Sequence, residues 1–289
     1  MKPPIFIIGS PRSGTTLLRL MITSHRNIVV PPECGFAVWW KTKYENWNAA
    51  EHLTRLEEFI TDFKQSKKIE TWNLDYEAMS QFLLAQHPAS YAELVSLIYT
   101  FYASARKPAF ERWGDKNNFY LNHIAALDSM FPDAHFVHII RDGRDVACSY
   151  RELAQKRIDS AYAPDLPTAI SGIAREWKLN IETIRNSFAA INPGRTFEIR
   201  YEDLVSTPET TLQELCRSLG EEYDPGMMEY HLKNKAEQLE PAGFLQWKAK
   251  TLLQPVKEQA GRFRRELAGD EIGEFERIAG DLLRRYSYL

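Results

Sequence analysis

Three cysteines in 289 residues are too few to staple this chain. Cys34, Cys148 and Cys216 are odd in number and far apart, and no CxxC pair occurs, so neither a disulfide framework nor a zinc site is indicated. A surplus of one charge is also missing. The 36 basic and 39 acidic residues leave a net charge of −3, which argues against nucleic acid as the main partner and makes any basic patch local. No apolar run approaches the roughly 18 residues needed to span a bilayer. The first strand pattern lies too near Met1 to leave room for a signal peptide. These absences lead us to expect a cytoplasmic protein with reduced thiols. Repeats and low-complexity tracts are absent as well.

What the chain does contain is 44% hydrophobic and 12% aromatic, enough for a substantial core. Its length is long for one domain and short for two, so one α/β core with a helical insertion is expected. Ile5 to Ile8 form an apolar run suited to a buried parallel strand. Asn27 to Val30 look like a second short strand, 135–140 like the central one, and Thr196 to Tyr201 like another. Between them, helices are predicted at about 119–131, after Gly143, and at roughly 168–190; a further helix starts at Thr207-Pro208. Residues 45–110 differ in character: Tyr91, Leu94, Val95, Ile98 and Tyr102 recur at helical steps. This stretch is read as the insertion, covering one end of the sheet. The stretch at 232–265 reads as charged and loop-like. Alternating strand and helix predicts a three-layer, P-loop-like parallel sheet flanked by helices.

One further absence is the most informative. Gly9 and Gly14 match the glycines of a phosphate-binding loop, but Thr15 stands where nucleotidases place lysine. The loop is still expected to hold an anion through backbone N–H groups and the helix dipole. Ser13, Thr15 and Thr16 add hydroxyls, and Arg12 offers a forked guanidinium. A second cationic segment starts at Arg141, at the carboxyl end of the strongest strand, with Ser149 two helical turns on. The two could hold a second phosphate; a strand-end arginine can equally pair with Asp142 or Asp145.

Together these motifs resemble the sulfotransferases that use 3′-phosphoadenosine-5′-phosphosulfate, the bacterial and tyrosylprotein branch in particular. The resemblance implies that Arg12, Ser13, Gly14, Thr15 and Thr16 take the 5′-phosphosulfate and that Arg141 and Ser149 take the 3′-phosphate. It implies Tyr201, in Tyr201-Glu202-Asp203-Leu204, near the adenine, and Gly261 and Arg262 in a loop closing over the 3′-phosphate. Residues 1–289 would form a single sulfotransferase domain. The missing lysine then has a physical reason: a neutral SO₃ unit moves, and charge grows on the departing 5′-phosphate oxygen. Arg12 and Lys116 are the candidate donors to that oxygen. No metal is implied. Adenosine 3′,5′-bisphosphate would be the product.

The acceptor must lose a proton. Where cytosolic members carry a histidine after the lysine, this chain has Asn118, and His123 is more consistent with a helix face. Glu33, where the tyrosylprotein branch carries its glutamate, is chosen as general base. His135 and His138 read as strand residues, Trp39, Trp40 and Trp247 as core or pocket wall, Arg264 and Arg265 as a solvated face, and Cys34 as a buried small residue. The acceptor is left open among small molecule, carbohydrate, lipid and peptide, and oligomeric state is not legible. Two competing readings remain: an atypical P-loop kinase or NTPase, and an inactive nucleotide-binding module.

Overall fold

The computed structural model describes residues 1–48, 52–254 and 259–289. Five strands, β1 (Ile5–Ile8), β2 (Ile28–Val29), β3 (Arg112–Lys116), β4 (His135–Ile140) and β5 (Thr196–Arg200), form one sheet in the order β2-β3-β1-β4-β5. Every pairing is parallel. The larger helices are α1 (Thr15–Thr23), α2 (His52–Phe63), α3 (Tyr76–Gln86), α4 (Tyr91–Arg106), α5 (Gly143–Ala154), α6 (Ile170–Phe188), α7 (Pro208–Leu219) and α8 (Gly269–Arg285). Among the described residues, no helix is long and apolar enough to cross a membrane.

β1 sits in the middle because nothing in it needs water. All four side chains are buried, Phe6 and Ile8 toward one core and Ile5 and Ile7 toward the other. The Phe6 ring meets Trp113, Phe131 and Phe136 at 5.6–5.9 Å. Helices α2 to α4 pack into that aromatic core, and the helical face expected from Tyr91, Leu94, Val95, Ile98 and Tyr102 is the buried one. On the other face α1 and α7 pack over Ile5 and Ile7. A third core joins α5, α6 and α8. The layers and the parallel sheet are as the sequence pattern predicts.

Several local expectations need correction. β3 had no strand signature, since Arg112, Gly114, Asp115 and Lys116 interrupt its apolar pattern, yet all five residues are buried. Burial is possible because each charge has a partner. Arg112 donates to Glu221 at 2.9 Å, two tyrosine hydroxyls donate to Asp115, and Lys116 pairs with Glu33. The helix expected at 119–131 is a 3₁₀ turn (Asn118–Asn122) followed by a shorter helix (Ile124–Met130). The stretch at 232–265 is more regular than a loop, with short helices Tyr230–Glu237, Leu245–Lys248 and Phe263–Glu266. Parts of that stretch (255–258) and of the insertion (49–51) lie outside the described residues.

Candidate active site

Parallel strands put all their carboxyl ends on one edge of the sheet, the usual position of a ligand crevice in such folds. Here every strand delivers a chemically useful side chain to that edge. The loop carrying Arg12 follows β1, and Glu33 follows β2. Lys116 ends β3, Arg141 follows β4, and Tyr201 follows β5. All of these but Lys116 line a cavity of about 330 Å³. Among the described residues lining it, the charged side chains are six basic (Arg12, Lys68, Arg141, Lys248, Lys250, Arg262) and one acidic, Glu33. Such a balance favours a multiply charged anion.

The β1 loop is shaped by two residues with positive φ, Arg12 at 65° and Gly14 at 99°. Left-handed backbone at a non-glycine residue costs about 1–2 kcal/mol, and it occurs here in the turn that leads into α1, where Ser13 N–H donates to the Ser10 carbonyl at 3.2 Å. Only glycine fits at position 14, because a Cβ would lie 2.5 Å from the Tyr201 ring. The Arg12 side chain reaches across the edge of the sheet. Its Nε donates to Ser149 Oγ at 3.1 Å, and both terminal nitrogens donate to the Trp247 carbonyl at 3.3 Å. Burial, with the neighbouring Arg141 charge, holds the Arg12 pKa below its ordinary value. Thr15 Oγ1 donates to Asn118 Oδ1 at 3.2 Å, and Thr16 Oγ1 accepts from Lys116 at 3.2 Å. Ser13 is fully buried, outside the cavity lining, and its hydroxyl is without a hydrogen-bond partner.

Arg141 is not paired with Asp142 or Asp145. Its guanidinium donates to the carbonyls of Arg12 (3.2 Å) and Gln259 (2.7 Å), lies 4.3 Å over the Tyr201 ring, and keeps a buried Nε without a partner. The two aspartates are engaged elsewhere. Asp142 holds Arg144, and Asp145 accepts the backbone N–H groups of Gly261 (2.7 Å) and Phe263 (2.9 Å). Asp145 therefore ties the Gly261–Phe263 turn to the helix that carries Ser149. Gly261 contributes its backbone there and is not part of the cavity wall. Arg262 is buried at the wall and bound to Glu266 and Glu152, whereas Arg264 and Arg265 are exposed.

Glu33 lies in a cage of three ammonium groups. Lys116 and Lys68 (2.7 Å) both bond its carboxylate, and Lys248 is 3.7 Å away. Burial alone would raise its pKa; the three lysines instead hold it well below the ordinary carboxylate range. Burial pulls the Lys116 ammonium below its own ordinary value, with Glu33 opposing. Lys116 is fully buried and sits behind the cavity wall, with Glu33 and Thr16 between it and the open space. Lys248 also bonds Glu240 at 2.6 Å, and Glu240 in turn holds Arg19 of α1 at 2.5 Å.

Lys68, Lys248, Glu240 and the Trp247 carbonyl were not foreseen from sequence. Each lies outside any motif, and nothing in the local pattern marks it. The other singled-out residues have ordinary environments. His138 bonds Glu198 at 3.0 Å, His123 packs at a tilt against the Phe119 ring, Trp40 bonds Ser66, and the three cysteines are buried and free.

Residues 3–225 match the family model of the sulfotransferase family. The chain belongs to that family. It is 25% identical over 257 residues to omega-hydroxy-beta-dihydromenaquinone-9 sulfotransferase Stf3 of Mycobacterium tuberculosis, a match covering 79% of this chain and 66% of Stf3. With protein-tyrosine sulfotransferase 2 of Gallus gallus it shares 25% identity over 222 residues, 75% of this chain and 51% of that one. The chain thus spans about half to two thirds of these relatives' lengths. Among solved structures, the sulfotransferase domain from the curacin biosynthetic pathway superposes with a TM-score of 0.59, at 20% identity and 98% coverage of both chains. The sulfotransferase fold is shared; at this identity the likeness extends no further.

Proposed function

We propose that the chain transfers a sulfuryl group from 3′-phosphoadenosine-5′-phosphosulfate to a hydroxyl or amine acceptor. The observation that carries this reading is the direct contact between two cationic segments: Arg12 Nε donates to Ser149 Oγ, and Arg141 donates to the Arg12 carbonyl. The loop after β1 and the segment after β4 thus adjoin as one continuous cationic surface, on which two phosphates of one nucleotide would rest. Arg141 lines the cavity, and its buried Nε, without a partner, is the unspent donor such an anion would use. Tyr201, capped by Arg141, offers a ring face for the base.

In this reading Glu33 takes the acceptor's proton. The acceptor oxygen or nitrogen bonds to sulfur as the bond from sulfur to the 5′-phosphate oxygen breaks, and the electron pair stays on that phosphate oxygen. Arg12 and Lys116 meet the growing charge there. The Glu33–Lys116 pair is consistent with both roles, because a bound phosphosulfate gives Lys116 a second anion and loosens its hold on the base. A glutamate held this far below its ordinary range is ionised throughout the neutral range, so base strength and not protonation state limits it.

The test is turnover of radiolabelled phosphosulfate donor with panels of phenols, sugars, lipid alcohols and tyrosine peptides, beside thermal shifts. Adenosine 3′,5′-bisphosphate at 100 times its Kd is expected to stabilise the protein by about 2.7 kcal/mol without added metal. A shift only with ATP and magnesium would instead indicate a kinase-type site. Bisphosphate binding with no turnover on any panel would indicate a binding module.

A further inference from the structure

Lys248 closes a short helix, Leu245–Lys248, that reaches the cavity from the far end of the chain. Two contacts seat that helix against the sheet edge. Trp247 gives its carbonyl to Arg12, and Lys248 brings its ammonium to Glu33 and Glu240. The same segment is braced by the Tyr162–Phe244 ring contact (5.9 Å) and by paired Asp159–Gln246 hydrogen bonds. One segment therefore touches both the Arg12 end and the Glu33 end of the cavity.

The charges around Glu33 do not balance. Among the described residues, Arg19, Lys68, Lys116 and Lys248 pair with only two carboxylates at this point, Glu33 and Glu240. Arg19 is consumed by Glu240 and by the carbonyls of Val30 and Leu239. Lys68 and Lys116 are each hydrogen-bonded to Glu33. Lys248 differs in its partner: among the described residues its ammonium hydrogen-bonds only Glu240, its 3.7 Å approach to Glu33 is too long for a hydrogen bond, and, like Lys68, it lines the cavity. Its remaining contact is the face of Phe244, 4.9 Å away. An ammonium carries three donors, so Lys248 has donors to spare beside the candidate base, where the transferred group must pass.

We propose that Lys248 contacts the non-bridging sulfuryl oxygens during transfer, as a third catalytic cation beside Arg12 and Lys116. This rests on the sulfotransferase reading given above. Lys248 exchanges no proton and forms no bond to sulfur; it holds the sulfuryl oxygens while sulfur passes from the phosphate oxygen to the acceptor. Taking those oxygens also draws it away from Glu33, which keeps one fewer cation as it accepts the proton.

Lys248→Met is expected to lower the transfer rate by roughly tenfold to a hundredfold, the scale of losing one oxyanion donor among several. Because adenosine 3′,5′-bisphosphate has no sulfuryl group, its calorimetric affinity should stay within about threefold of wild type. Lys248→Arg, which keeps the cation, should recover part of the rate. Lys248→Met leaves Glu240 with Arg19 as its cation, so Lys248→Met/Glu240→Gln, which keeps the cluster's net charge although Arg19 loses its carboxylate, is measured beside it and should show the same split. A transfer rate within about threefold of wild type in both Met variants would overturn the proposal. So would parallel losses of rate and bisphosphate affinity, which would make Lys248 an anchor for the segment. If the wild type itself neither binds the bisphosphate nor consumes the donor, the sulfotransferase reading fails first and takes this proposal with it.

Discussion

The two halves of the cavity wall are built in different ways. One half rises from strand ends: Arg12, Arg141 and Tyr201 follow β1, β4 and β5, with Lys116 of β3 buried just behind them, and their hydrogen bonds and burial leave them little freedom. The other half comes from connecting segments, with Lys68 from the insertion, Tyr162 and Pro164 from the stretch after α5, and Trp247 and Lys248 from the stretch after α7. The strand-borne half carries the residues that would bind a nucleotide. The connecting half brings apolar rings and spare ammonium groups around Glu33. Division of this kind lets a fixed donor site serve different acceptors, because connecting segments vary without disturbing the sheet.

The sharpest way to break this comparison is to remove a strand-borne cation assigned to the chemistry. Lys116→Met is expected to reduce the transfer rate by about 100- to 1000-fold, measured with saturating donor, while bisphosphate still binds. Equal activity in the variant would move the chemistry to the connecting half. Glu33→Gln comes next and should lose most transfer while retaining donor affinity in calorimetry. Undiminished turnover would remove Glu33 from the base role.

Smaller in effect is the nucleotide grip itself. Ser149→Ala deletes one neutral hydrogen-bond partner of Arg12 and should weaken bisphosphate binding by roughly 1 kcal/mol, with the maximal rate little changed. A large loss of rate with unchanged affinity would contradict a role confined to binding.

A last prediction concerns the frame beneath both halves. Asp115, next to Lys116 in β3, is fully buried, with Tyr99 and Tyr120 donating to one carboxylate oxygen and the other oxygen unpartnered. Burial raises its pKa to about 7, against the tyrosine hydrogen bonds. The native state then binds this proton more tightly than the unfolded chain, whose aspartate titrates near 3.9. Stability from this group is therefore greatest below about pH 4 and declines as pH rises to about 7. Asp115→Asn should flatten that decline in urea unfolding between pH 5 and 8, an effect on the order of 2–4 kcal/mol at most. A wild-type curve already flat across that range would refute the assignment.

The same contrast explains what could be read in the sequence. Gly9 to Thr16 and Arg141 to Ser149 are contiguous, each sits at a strand end, and glycine, hydroxyl and arginine at those offsets have few other uses. β3 escaped notice because its burial depends on partners distant in sequence: Glu221 for Arg112, and Glu33 for Lys116. No local pattern encodes those pairings. Lys68 and Lys248 are likewise ordinary lysines until folding carries them to the carboxylate of Glu33. The aromatic helices of the insertion were legible as helices by their spacing, yet what their far ends contribute to the cavity was not.

Calorimetric titration of the metal-free protein with adenosine 3′,5′-bisphosphate and with adenosine 5′-monophosphate bears most directly on the account. The bisphosphate should bind at least about tenfold more tightly, a gap of about 1.4 kcal/mol, and Arg141→Ala should abolish that preference. Equal affinity for the two nucleotides, or a preference untouched by Arg141→Ala, would contradict it.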